Sequence, residues 1–259
     1  MIAAIPEIDL GAWLGQYLWP LARIGAFLLS MPILGSRMVP LRIRMIYSLM
    51  LTWVALPFLQ TVPRCNPLGL ECWLIVVQQL LIGLAMGFCF QFLFQLFEIS
   101  GQLIATQSGL GFSSMVNPDT GVSVATISQL YSMLINLLFL AMDGHLILID
   151  YLIRSFQVLP IRDSYALGIH WPLLFQSGGW MLSSALLVAM PAIVALLVVN
   201  LALAVTTRAA PQLNIFSVGF PVSLLVGLLV LWLSLKPLPE QFRQLADQMF
   251  VMLQRIFTG

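Results

Sequence analysis

Charged residues are scarce in this chain. Asp, Glu, Lys and Arg make up 8% of the 259 residues, whereas 60% are hydrophobic, and the mean hydropathy is +0.99. Soluble proteins usually contain about 25% charged residues, so the composition identifies an integral membrane protein. The formal net charge of +1 provides no basic field to attract nucleic acid. We therefore expect no nucleic-acid partner.

The residues that catalysis usually requires are also missing. Histidine occurs only at His145 and His170, and the absence of HExxH excludes the ligand set of a zinc protease. There is no GxSxG motif, for which the string GFSSM does not substitute, and no GxxxxGK[ST] phosphate-binding loop. These absences predict a protein that is not an enzyme and binds no cofactor or metal.

Cysteine is rare as well, with three residues at spacings that resemble neither a zinc site nor a redox site. Cys89 lies in an apolar run and is expected to be a small buried hydrophobic residue. Cys65 and Cys72 share a loop and could form a disulfide in an oxidising compartment. Free thiols are the simpler interpretation.

What is abundant is long apolar sequence, which predicts an all-α membrane protein with a single embedded domain over residues 1–259. A membrane-spanning helix needs about 20 apolar residues. Arg37, Arg42 and Arg44 cluster after the first run and place that loop in the cytoplasm by the positive-inside rule. Residues 176–179 should break a longer apolar stretch before a helix at 180–206. Seven crossings are expected, over about 10–34, 45–62, 72–97, 122–142, 145–160, 180–206 and 213–235.

The C-terminal tail, residues 239–259, has apolar residues at helical spacing. An amphipathic helix of this kind can lie on the membrane surface, pack against a partner, or cap the chain's own helix bundle. The pattern does not choose among these. Its apolar positions are Phe242, Leu245, Met249, Leu253 and Ile256.

The segment from Ser100 to Gly121 is out of place because it carries four glycines and four serines between two charge-free runs. Irregular backbone beside hydrocarbon persists only when it is buried in protein or lines a water-filled cavity. Gly109 and Gly111 permit unusual backbone angles, and Pro118 favours an extended Asn117.

Bulky apolar side chains within that segment suit a displaceable plug, and methionine adapts well to irregular surfaces. An ordinary extramembrane loop explains the composition equally well. The candidate plug residues are Gly109, Leu110, Gly111, Phe112, Ser113, Ser114, Met115, Val116, Asn117 and Pro118.

A few charges lie within apolar sequence, where ionisable residues are functional candidates. We expect Arg23 to be buried against a carboxylate or carbonyl group of another subunit. Asp150 and Arg154 are four residues apart and should form a buried ion pair on a helix. Together with Asp143 and His145 they also permit an ion-coupled transporter. A structural pair is favoured, since the two halves show no evident repeat of the kind many transporters have.

Three strings occur in order along the chain: RIGAFLLSMPILGSRMVPLRIRM at 23–45, QSGLGFSSMVNPDTG at 107–121 and RAAPQLNIFSVGFPV at 208–222. With them the chain closely resembles the FliR/SctT family of type III protein export machinery over nearly its whole length. One departure is that the family loop often reads Asp-Pro where this chain has Asn117-Pro118.

The resemblance implies a non-enzymatic subunit of the export gate at the flagellar basal body, in the bacterial inner membrane. One such chain would assemble with FliP-like and FliQ-like subunits into a closed helical channel for unfolded flagellar proteins, and would contact an FlhB-like switch protein and membrane lipid. Family members form helical hairpins, and the loop between the third and fourth runs is their plug. The equivalent subunit of a virulence injectisome is the alternative, followed by the transporter.

We also predict subunit packing near the last apolar run. The alternative is an intramolecular turn, because the Pro-Gln-Leu-Asn string can end one helix and begin another. The predicted packing residues are Pro211, Gln212, Asn214, Phe216, Gly219, Phe220 and Pro221.

Overall fold

The computed structural model describes residues 10–36, 39–59, 69–117, 121, 123–161, 169–209 and 219–258, and this part of the chain is almost entirely helical. The prediction of an all-α membrane protein is confirmed. Two short antiparallel strands, β1 (Ser114–Val116) and β2 (Ser123–Ala125), interrupt the helices. The helices are α1 Leu10–Ser30, α2 Leu41–Ala55, α3 Leu70–Gln107, α4 Thr126–Ala141, α5 Gly144–Val158, α6 Trp171–Ala209, α7 Phe220–Ser234 and α8 Leu238–Thr258.

The number of candidate membrane spans is lower than the seven expected. Within the described residues, three segments are long and apolar enough to cross a bilayer: Leu41–Phe58, Glu71–Gln107 and Trp171–Thr206. Two pairs of helices, α4 with α5 and α7 with α8, pass the same test only when each pair counts as one span, which gives up to five. The predicted separate crossings at 122–142 and 145–160 are not found, because α4 and α5 have 16 and 15 residues, fewer than the roughly 20 that a crossing needs.

Helix α6 continues through Gly178 and Gly179, where a break was predicted. A Cβ atom at either glycine would meet nothing within 4 Å, so neither residue marks a turn or a close contact. Glycine inside a helix costs about 1 kcal/mol relative to alanine, which is too little to end a helix of 39 residues. Helix α2 also begins earlier than predicted, so Arg42 and Arg44 lie in its first turn.

The described residues form two compact units. The first takes in residues from 1–91, 143–174 and 252–259, and the second takes in residues from 92–142 and 175–251. Each unit is therefore assembled from segments that lie far apart in the sequence.

In the first unit, α1 and α3 approach closely at two glycines of α3. A Cβ atom at Gly83 would collide with the carbonyl oxygen of Arg23, and one at Gly87 would collide with Ser30 Oγ. The ring of Phe90 packs edge-on against Phe27 at 6.2 Å between ring centroids. Small residues four apart thus let the two helix backbones meet, as the GxxxG spacing favours.

Arg23 is the polar centre of the first unit and is 0% exposed. Its Nε donates to Gln79 Oε1 at 2.8 Å, Nη1 donates to Ser155 O at 3.0 Å, and Nη2 donates to Leu159 O at 2.8 Å. Its guanidinium carbon also lies 4.4 Å from the centre of the Phe156 ring. The expectation of a partner in another subunit is corrected, because these acceptors belong to the same chain. Arg23 joins α1 to α3 and to the C-terminal end of α5, where Ser155 O also accepts from Leu159 N and the planar guanidinium can reach two carbonyl groups at once.

Asp150 and Arg154 form the ion pair that their spacing predicts, with 2.8 Å between Asp150 Oδ2 and Arg154 Nε. The expectation that the pair is buried is wrong, since their side chains are 57% and 70% exposed. The physical reason is the face of α5 on which they lie. The opposite face, with Leu148 and Leu152, is the one that packs into the core.

In the second unit, small residues again allow helices to approach. Ser100 Oγ on α3 donates to Ala185 O on α6 at 3.0 Å. A Cβ atom at Gly101 would lie 2.8 Å from Ser128 Cα on α4, and one at Gly227 on α7 would lie 2.7 Å from Ser108 Cβ. The C-terminal end of α3 is therefore in close contact with α4, α6 and α7.

Helix α8 buries its apolar face within the protein. The ring of Phe242 lies 5.8 Å from that of Phe97 on α3, and Met249, Leu253 and Ile256 are fully buried. Of the alternatives left open for the tail, the structure favours a cap on the chain's own helices.

Cys89 is a buried free thiol, as expected. Cys72, near the start of α3, is disulfide-bonded, which contradicts the simpler interpretation of free thiols. Cys65 lies outside the described residues.

The hydrogen bonds of Arg23 lead to a stability prediction. Arg23→Leu would remove the Arg23 donors from the buried Gln79 Oε1 and from Leu159 O, and one of the two donors of Ser155 O. An unsatisfied buried group costs about 1–3 kcal/mol, so we expect a loss of about 2 kcal/mol or more. Denaturant unfolding in detergent, followed by circular dichroism, measures it. The matched control is Arg154→Leu, which breaks an exposed ion pair and should change stability by less than about 1 kcal/mol. Equal losses in the two variants would contradict this view of Arg23.

The contact between α1 and α3 leads to a second prediction. Gly83→Ala places a methyl group against backbone and should destabilise the protein by about 1–3 kcal/mol, as overpacking does. Gly25→Ala in α1 is the control, because a Cβ atom there meets nothing within 4 Å. It should leave the unfolding midpoint unchanged or raise it, since alanine favours helix. A similar decrease in both variants would show that the α1–α3 approach is not tight.

Candidate functional site

The segment predicted to be an irregular plug at 100–121 begins later than expected. Helix α3 continues to Gln107, so residues 100–107 are helical and the earlier boundary is corrected. Ser100 Oγ and Thr106 Oγ1 donate to carbonyl groups four residues back, at 2.7 and 2.8 Å. A hydroxyl group bonded in this way leaves the helix intact. We call residues 108–125 the hairpin segment.

Gly109 ends α3 in the left-handed conformation, with φ of 76°. Glycine is the usual residue at this position because a side chain would be strained there. Leu110–Phe112 then form one 3-10 turn. A Cβ atom at Gly111 would lie 3.3 Å from Thr106 Cα, so the two glycines predicted for backbone freedom have different uses: Gly109 makes the turn and Gly111 allows close packing.

The hairpin segment contains regular structure that the sequence analysis did not predict. Met115 of β1 pairs with Val124 of β2, in antiparallel register. Thr126 closes the base of the hairpin, since its backbone N–H donates to Ser113 O at 2.9 Å and its Oγ1 lies 3.0 Å from Ser113 Oγ. At the turn, Gly121 N donates to Asn117 O at 2.7 Å. These bonds hold the two strands of the hairpin against each other.

Side chains of α3 attach this hairpin to the helix. Asn117 Nδ2 donates to both carboxylate oxygens of Glu98 at 3.3 Å. One helical turn further along, Gln102 Oε1 accepts from Ala125 N at 3.0 Å. Because Glu98 and Gln102 are four residues apart, they lie on the same face of α3 and contact the two strands of the hairpin separately.

Glu98 also bonds to α4. Its carboxylate accepts from Ser132 Oγ at 3.3 Å, and its backbone carbonyl accepts from Ser128 Oγ at 2.6 Å. Sequence reasoning missed this residue, although a signal was present. Glu98 is the only carboxylate residue between Glu71 and Asp119, and a lone charge in apolar sequence marks a functional candidate.

Some side chains of the hairpin segment are buried against α3 and others are exposed. Asn117 is 1% exposed and points toward α3, whereas the Met115 side chain is 51% exposed. Ser113 and Ser114 are exposed, and Leu110 and Gly111 are half-buried. The backbone of Phe112 and Val116 lies in the 3-10 turn and in β1, and Pro118 is outside the described residues. A flexible apolar side chain is thus presented outward by a firmly attached loop.

The residues predicted to pack against other subunits are only partly described. Gly219 is buried, and Phe220 and Pro221 begin α7, where the fixed φ of proline suits the first helical turn. A contact with another subunit stays a prediction. Pro211, Gln212, Asn214 and Phe216 lie outside the described residues.

No metal site emerges in the part of the chain that the structure describes. No three His, Cys, Asp or Glu residues there group so as to hold an ion. Of the charges discussed above, Arg23 is satisfied by uncharged acceptors, and Asp150 pairs with Arg154 at the surface.

Known proteins resemble this chain over most of its length. Residues 14–249 match the model of the family described as bacterial export proteins, family 1. The flagellar biosynthetic protein FliR of Pectobacterium carotovorum subsp. carotovorum is 35% identical over 252 residues, which cover 96% of this chain and 95% of that protein. The protein of the same name from Escherichia coli (strain K12) is 38% identical over 250 residues, covering 95% of this chain and 94% of the relative.

The resemblance inferred from the three sequence strings is therefore confirmed on independent grounds. The match extends over nearly the full length of both chains, and it includes the helices that carry the hairpin segment. This chain belongs to the bacterial export proteins, family 1.

Proposed function

We propose that this chain is a non-enzymatic subunit of the flagellar type III export gate in the bacterial inner membrane. Its hairpin segment seals the passage for unfolded flagellar proteins until the gate opens. The observation that carries the proposal is the hairpin itself: a well-anchored loop with an exposed Met115, placed between the apolar helices α3 and α4 in a chain related to FliR over its length.

Partner subunits explain a second feature, the large apolar surface that the chain does not cover. Only 17% of the most apolar window of Trp171–Thr206, and 22% of that of Leu41–Phe58, is buried within the protein. Helix α6 has 39 residues and so measures about 58 Å, whereas the hydrocarbon core is about 30 Å thick. Lipid alone cannot cover such a length. FliP-like and FliQ-like subunits are the proposed cover, with an FlhB-like protein as a further partner.

The alternatives have less support. The relatives compared are named as flagellar proteins, which favours the flagellar gate over the equivalent subunit of an injectisome. For an ion-coupled transporter, the candidate charges Asp150 and Arg154 already neutralise each other at an exposed position.

A deletion tests the seal. Removing residues 110–116 deletes the 3-10 turn and β1, so a gate assembled with its partners should leak ions across the inner membrane, whereas the intact gate should not. Ion conductance of cells expressing the full gate measures this, with the amount of assembled gate determined in parallel. The double variant Asp150→Asn/Arg154→Gln leaves the hairpin unchanged and should not leak. Equal conductance with and without residues 110–116 would mean that the segment is only a structural connection.

A further inference from the structure

We infer that Glu98 is the positioning residue of the seal: its carboxylate holds the hairpin segment on α3 in the closed gate, through the buried amide of Asn117. This inference rests on the proposed function of the hairpin as a seal. The juxtaposition that supports it is the hydrogen bonding of Asn117 Nδ2 to both Glu98 carboxylate oxygens, beside Ser132 Oγ.

The carboxylate needs these donors because of where it lies. Glu98 is half-buried in α3, within the candidate span Glu71–Gln107, and its neighbours in the sequence Leu96, Phe97 and Ser100 are buried. A charge among apolar groups is costly unless hydrogen bonds replace its hydration. The docked hairpin supplies one such donor, and α4 supplies another through Ser132. Lifting the hairpin away from α3 would remove the Asn117 donor from the charge.

Asn117 needs the carboxylate equally. Asn117 is 1% exposed, so separating Nδ2 from the carboxylate would remove a buried hydrogen bond to a charged group, which is worth more than an ordinary hydrogen bond. Asn117 also accepts the turn bond from Gly121 N and directly follows β1. Holding Asn117 against α3 therefore fixes the C-terminal end of β1, the strand that carries the exposed Met115.

A second hydrogen bond holds the other strand of the hairpin on α3. Gln102 Oε1 accepts from Ala125 N, at the end of β2, so one strand is held through Glu98 and the other through Gln102. Asn117 Nδ2 makes two bonds of 3.3 Å to a charged group, whereas the one bond from Ala125 N is neutral and 3.0 Å long, and hydrogen bonds to charged groups contribute more than neutral ones. Glu98 is therefore the contact whose loss should release the hairpin, and Gln102 has the smaller part.

Hydrogen exchange of the assembled gate, followed by mass spectrometry, reports on this attachment without depending on conductance. Glu98→Ala should accelerate exchange of the hairpin amides, residues 113–117 and 123–126, by about tenfold or more, because a hydrogen bond to a charged group is lost. Glu71→Ala is the matched control, since it removes an exposed carboxylate from the same helix, and the hairpin amides should then exchange at the wild-type rate. Unchanged exchange in Glu98→Ala would overturn the inference.

A charge swap separates positioning from general destabilisation. Asn117→Asp alone brings two carboxylates together, so both hairpin exchange and ion leak should increase. The double variant Glu98→Gln/Asn117→Asp is isosteric and restores one amide donor and one carboxylate, with their places exchanged. Both readouts should return to within about threefold of wild type, since the charged hydrogen bond is recovered. A double variant that leaks and exchanges as fast as Asn117→Asp would overturn the inference.

The two proposals fail in distinguishable ways. If deleting residues 110–116 causes a leak but Glu98→Ala changes neither exchange nor conductance, the seal stands and Glu98 does not position it. The opposite result is that Glu98→Ala and Asn117→Asp accelerate hairpin exchange and the double variant Glu98→Gln/Asn117→Asp restores it, while neither these variants nor the deletion leaks. The positioning contact then stands and the sealing function fails.

Discussion

Polar groups among apolar helices must find their partners inside the protein, and both units of this chain are organised around one such group. In the first unit the group is Arg23, whose guanidinium joins α1 to Gln79 of α3 and to the carbonyl groups at the end of α5. In the second it is Glu98, which joins α3 to α4 and to the hairpin segment. Because unsatisfied charges are so costly in this setting, each side chain specifies which segments meet.

Close helix contacts complement these polar links. Hydrophobicity gives little drive for helices to associate in lipid, so packing depends on small residues that let backbones approach. Gly83 and Gly87 do this for α1 and α3, and Gly101 does it for α3 and α4. The same helix thus carries an apolar outer surface, glycines at its contacts and, at Glu98, one polar attachment. That combination attaches a loop to a packed helix through a small number of polar bonds.

The lengths of helices α3 and α6 suggest how this chain packs with other subunits. Helices α3 and α6 have 38 and 39 residues, about twice what a bilayer crossing needs. Their apolar character extends beyond any depth that hydrocarbon can cover, and most of α6 is left exposed by its own chain. A subunit built in this way is suited to a complex in which neighbouring chains supply the missing core.

The sequence by itself determined the all-α membrane class, the apolar helices, the i,i+4 pairing of Asp150 with Arg154 and the position of the unusual segment, because these depend on composition and local spacing. Only the tertiary structure decided the rest. The exposure of that ion pair depends on which face of α5 packs into the core. The hairpin and its attachment to Glu98 and Gln102 were not foreseeable, since their bonds join residues 19 and 23 positions apart, and no local pattern encodes such pairings.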